Sequence, residues 1–116
     1  MNILQEISKF LKGVYQTIDD KQGDEITVID FANTSPLYDY MIIASARNER
    51  LAAAIIDAVE EYAMQCNCDV KSISKVKDSK WFLIDLGDIV CHIFYDGQRE
   101  FYDLEGLWKD LGTLKM

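Results

Sequence analysis

The chain has 116 residues, with 20 acidic against 12 basic side chains and a net charge of −8. That balance opposes capture of nucleic-acid phosphates, which needs clustered Lys and Arg, and suits a basic protein partner instead. Hydrophobic content is 49%, yet no apolar run nears the ~20 residues of a membrane span, and no basic segment leads into an apolar one as in a secretory signal. A cytoplasmic protein folded as a single domain over 1–116 is therefore expected. A chain of this length buries roughly two thirds of its unfolded surface, enough for a core without staples. Its three cysteines are an odd number, so reduced thiols are expected.

Leu4, Ile7, Leu11, Val14 and Ile18 recur at spacings of three and four, which predicts an opening amphipathic helix. Gly23, in "DDKQGD", is its expected breaker. "EITVIDF" is rich in β-branched residues and predicts a strand, "NTSP" a turn, and "LYDYMIIAS" a second strand. Residues 46–65 then predict a helix whose inner face is Leu51, Ala54, Ile55, Ala58, Val59, Tyr62 and Ala63, with Ser45 as N-cap.

A short strand near "DVKSIS" and a polar loop "KVKDSK" follow. "WFLIDL" and "IVCHIFY" are apolar enough to predict strands covered on both faces in the middle of a sheet. "DGQRE" reads as a turn, and Leu104, Leu107, Trp108 and Leu111 as one face of a last short helix. The order predicts an α/β fold in which a mixed sheet of about five strands packs with helices. Strand order does not follow from it.

Asp85 and Asp88 are the first candidate site. Paired carboxylates can hold Mg²⁺ for nucleotidyl transfer. The acids of such enzymes are separated by one residue on a strand, which turns both to one side. Here they span Gly87, and no glycine opens the helix after Ala44-Ser45-Ala46. A hairpin turn with solvated acids is the better reading, and the metal-dependent transferase is kept as the alternative.

His92, the lone histidine, sits mid-strand and reads as a hydrogen-bonded core residue. Cys66, Cys68 and Cys91 would need His92 to complete a zinc set, at a spacing unlike that of a zinc knuckle. Free thiols fit better. Arg47, Arg50 and "KVKDSK" read as solvated surface.

Leu86 is out of character beside a turn glycine, because hairpin tips are exposed and prefer Gly, Asn and Asp. Trp81 begins the same strand, and Tyr102 precedes the last helix. Aromatic side chains anchor many interfaces, and they also complete cores. Residue types alone leave both readings open.

The segment "WFLIDLGDIVCHIFYDGQREFYDLEGLW" resembles the signature of the ribosomal silencing factor family, also called Iojap-related proteins. The resemblance rests on Trp81, Asp85, Gly87, Asp88, His92, Arg99, Tyr102, Leu104, Glu105, Leu107 and Trp108, with Asp39 and Tyr40 upstream. It runs from about residue 3 to residue 111. Ala46 stands where that family usually has Gly, Tyr38 where Thr is common, and the Glu-Gly that usually precedes the Trp is missing.

The resemblance implies a fold related to nucleotidyltransferases without their catalytic set. It implies a binding protein that needs no cofactor or metal. Its partner would be ribosomal protein L-fourteen of the large ribosomal subunit, where it blocks joining to the small subunit when nutrients are short. A homodimer in the free state is compatible with this. Trp81, Leu86 and Tyr102 match the partner-facing positions, and the resemblance makes Leu86 an apolar contact at the hairpin tip.

Overall fold

The computed structural model describes residues 3–30, 40–75, 80–97 and 113–114, the backbone alone for 3–8 and 113–114. Along the chain these form α1 (Ile3–Asp20), β1 (Asp24–Asp30), β2 (Tyr40–Ala46), α2 (Glu49–Gln65), β3 (Ser72–Lys75), β4 (Trp81–Asp85), β5 (Ile89–Tyr95) and β6 (Thr113–Leu114). The expected helix over Leu104–Leu111 lies outside the described residues, as do the side chains of Leu4 and Ile7.

One sheet takes all the strands in the order β3-β4-β5-β2-β1-β6. The expected five strands are there, and the two-residue β6 adds a sixth beside β1. β2 and β5 pair in parallel and every other pair is antiparallel, so the sheet is mixed. The parallel pair needs a crossover, and α2, β3 and β4 fill it.

Both described helices lie on one face. Leu11, Val14 and Ile18 of α1 and Ala52, Ile55, Ile56, Val59 and Ala63 of α2 are buried there, against Val28, Ile42, Ala44, Ile84, Ile89, Cys91 and Ile93. The inner face of α2 is rotated from the expected one. Ala52 and Ile56 are buried, Ala54 is exposed and Ala58 only half-buried. All these residues are apolar and helix-compatible, so periodicity alone fixes the stripe loosely.

Two ends differ from expectation. Ser45 does not cap α2, because β2 runs on to Ala46 alongside β5, pairing Ser45 with Phe94. Asn48 caps instead, its side chain accepting from the Leu51 N–H at 2.9 Å. At the end of α1 the left-handed residue is Gln22 (φ 68°), not Gly23. The Gln22 N–H donates to the Asp19 carbonyl and the Gly23 N–H to that of Ile18, a Schellman motif. Gly23 is required for space: a Cβ there would lie 2.4 Å from Ile18 Cγ2. Asn67 (φ 58°) closes α2 in the same way, with the Cys68 N–H donating to the Ala63 carbonyl at 2.8 Å.

Candidate functional site

Alternation along β4 sends Phe82 and Ile84 toward the helices and Trp81, Leu83 and Asp85 to the opposite face. In β5 it divides Ile89, Cys91, Ile93 and Tyr95 from Val90, His92 and Phe94. Three rows then cross the face away from the helices. Asp85 stands beside Val90 and Met41, Leu83 beside His92 and Ile43, and Trp81 beside Phe94 and Ser45.

Met41, Ile43, Val90, His92 and Phe94 are buried, whereas Trp81, Leu83 and Asp85 are half-buried. Beyond them, β3 sets only the exposed Ser72 and Ser74 opposite Asp85 and Leu83. Coverage on both faces therefore holds for β5 and fails for β4. On this face the burial of the central strands gives way, at β4, to an apolar strip of Trp81 and Leu83 next to a polar edge.

Trp81 is held from two sides. Its ring stacks on Phe94 with centroids 5.0 Å apart and planes 26° apart. Its Nε1–H donates to His92 Nδ1 at 3.0 Å, and the two rings lie tilted at 5.4 Å. His92 is only 6% exposed, and burial pushes its pKa down to about 4, so it is a neutral acceptor at ordinary pH. Its Nε2 is buried without a hydrogen-bond partner. His92 is thus a core residue bonded through one nitrogen. Leu83 and Phe94, which sequence reasoning did not single out, belong to the same strip; their positions follow from the β4–β5 register.

Leu86 is not at an exposed tip. It is 3% exposed and belongs to the core under the helices. The Leu86 N–H donates to the Ile89 carbonyl at 2.8 Å, so the ladder continues past Asp85 and the turn is Gly87-Asp88 alone. Leu86 extends the inward alternation of Ile84. Gly87 has φ +92°, a left-handed value that glycine adopts readily in a short hairpin connection. Tyr102 lies outside the described residues.

The acids serve this turn. Asp85 Oδ1 accepts the Gly87 N–H at 2.8 Å, while Asp88 is exposed on the far side of the glycine and its carbonyl accepts from the Tyr40 N–H. Zinc is excluded for the Cys-His set by alternation. Cys91 points into the helix-side core and His92 to the other face. Burial raises the Cys91 thiol to about 12, and Cys68 is raised by burial and then by the charge of Asp88. Among the described residues the cations are dispersed: Lys75 pairs with Glu49, Lys80 with Asp96 at 3.5 Å, and Arg47 bonds Gln22.

The family model for "Ribosomal silencing factor during starvation" matches residues 4–115. The chain belongs to the ribosomal silencing factor family. It is 37% identical over 98 residues to the ribosomal silencing factor of Zymomonas mobilis, covering 84% of this chain and 74% of that protein. It is 32% identical over 100 residues to that of Bacillus subtilis, covering 86% and 85%. A crystal structure of a Chromobacterium violaceum protein superposes with a TM-score of 0.80 at 29% identity, covering 94% of this chain and 88% of that one. The silencing-factor fold is thus matched in sequence and in three dimensions, and membership carries translation regulation and ribosome association with it. Among the described residues, no helix is long and apolar enough to cross a membrane.

Proposed function

We propose that this chain binds ribosomal protein L-fourteen on the large ribosomal subunit and blocks joining to the small subunit by occupying its place. Translation is thereby repressed in the cytoplasm under nutrient limitation. The observation that carries this reading is the Trp81–Leu83 strip, a half-buried apolar surface on the face of β4 away from the helices, in a chain of this family. A rigid aromatic beside a polar edge has the anatomy of an interface centre and its rim. Trp81 is the anchor and Tyr102 a second contact. Leu86 supports the strip from the core side without touching the partner.

The net charge of −8, with Asp85 and Asp88 at the turn, favours a basic partner surface. The reading needs no metal, cofactor or covalent step, and the chain acts by occupancy, not as an enzyme. Against the transferase alternative, Asp85 accepts the Gly87 N–H within the turn, and Asp88 stands on the far side of the glycine.

Co-sedimentation with separated ribosomal subunits, followed by a joining assay, tests the proposal. Binding to the large subunit alone with fewer joined ribosomes is expected. Binding to neither subunit would reject it, and Mg²⁺-dependent nucleotide incorporation lost in Asp85→Asn would replace it with the transferase. Light scattering over a dilution series reports whether the free protein is a homodimer.

A further inference from the structure

His92 is costly where it stands. It occupies a fully buried strand among Ile, Val, Cys and Phe, and its Nε2 is buried with no partner. A buried polar atom left unpaired is destabilising, and an aliphatic side chain would avoid the cost. The one polar contact the imidazole makes among the described residues is with Trp81, whose Nε1–H meets Nδ1 at 3.0 Å. That contact joins a buried residue of β5 to a half-buried residue of β4, at the strip described above.

The chemistry of the pair is specific. An indole has one polar group, and it is a donor only. Left to solvent, this N–H would have to be stripped of water whenever a partner covered the ring. With Nδ1 as its acceptor, that need is met inside the protein, and the ring offers its partner an apolar surface. The bond, with the stack on Phe94, also fixes the ring before docking, so less side-chain freedom is lost on association. Accepting at Nδ1 places the imidazole proton on Nε2.

We propose that His92 is the positioning residue of Trp81, holding the indole N–H through Nδ1 so that the docking partner meets a fixed ring with no unmet polar group. The inference rests on the reading that Trp81 faces the partner, and its test separates the two.

His92 is the only histidine in the chain, so its ring nitrogens are read without ambiguity by NMR of uniformly ¹⁵N-labelled protein. The expected spectrum has Nε2 protonated and Nδ1 bare, with the Trp81 indole N–H shifted from the free-indole position. A proton on Nδ1 overturns the proposal without any variant. Binding to purified L-fourteen is then compared for wild type, Trp81→Ala, His92→Phe and His92→Asn. Phe keeps a ring but has no acceptor, whereas Asn returns an acceptor near the Nδ1 position.

With backbone spectra showing the variants folded, His92→Phe is expected to bind about tenfold more weakly and to release the indole signal, and His92→Asn to restore both within about twofold. Full-strength binding by His92→Phe, when Trp81→Ala binds poorly, overturns the positioning role alone. Full-strength binding by Trp81→Ala overturns the partner-facing reading and the positioning role with it. Should His92→Phe not fold, the wild-type tautomer and the indole signal decide.

Discussion

Leu86 fills the helix-side core, so its removal acts on stability. Leu86→Ala is expected to lower unfolding free energy by about 2–5 kcal/mol, the usual cost of a buried Leu-to-Ala cavity. Urea denaturation measures it. A residue at an exposed tip could be truncated with the fold untouched; Leu86, at 3% exposed, cannot. At a temperature where the variant stays folded, its binding to L-fourteen should match wild type. His92 makes a separate prediction through pH. In the unfolded chain it takes a proton near 6.5, while in the folded protein burial delays protonation to about 4. Its contribution is therefore complete above pH 6.5 and is lost as pH falls toward 4, a window worth roughly 3 kcal/mol. The carboxylates titrate in the same range, so the observable is a difference. Wild type should lose more stability than His92→Phe between pH 7 and pH 4. Parallel curves would show that the histidine does not titrate against burial.

Caps and turns decide where the elements stop. Asn48 is the side chain that caps the first turn of α2 among the described residues, so Asn48→Ala should cost about 0.5–2 kcal/mol in thermal or urea unfolding. Gly87→Ala should cost about 1–2 kcal/mol, because φ +92° is unfavourable for any side chain. These ends also mark the limit of what periodicity conveys. The apolar spacing of α1 and the β-branched runs of β1, β2 and β5 are local signals, and the elements lie where those signals fall. Ser45 and Asn48 are both good capping residues. The choice between them is made by β5, whose paired residues lie 49 positions along the chain and which draws β2 on to Ala46. Leu86 was misplaced for a similar reason. Whether a residue beside a glycine is a turn or the last rung of a ladder depends on the opposite strand. Trp81 was legible as an aromatic at a strand start and in the family signature. Its bond to His92 was not, because it rests on the diagonal between β4 and β5, which only the register supplies.

Across the whole molecule, charge and the aromatic strip would act on different steps of the proposed association. The net charge of −8 extends over distances of a Debye length, so it affects the approach of a basic partner and fades with salt. In the proposed complex Trp81 would work only in contact, where it is desolvated, and so would govern how long the complex lasts. Surface-bound L-fourteen and flowing protein separate the two. Raising salt from low to physiological strength should slow association several-fold and leave dissociation nearly unchanged. Trp81→Ala should do the reverse, with faster dissociation, a loss of about 1–4 kcal/mol in binding and the same salt dependence of the on-rate. The contrast follows from geometry. Asp88 is exposed on the turn, where it adds to the field, while the indole is half-buried between Phe94 and His92, where the field hardly depends on it. If Trp81→Ala instead changed only the association rate, the strip would be a guide for encounter, and the anchor would have to be sought elsewhere on the molecule.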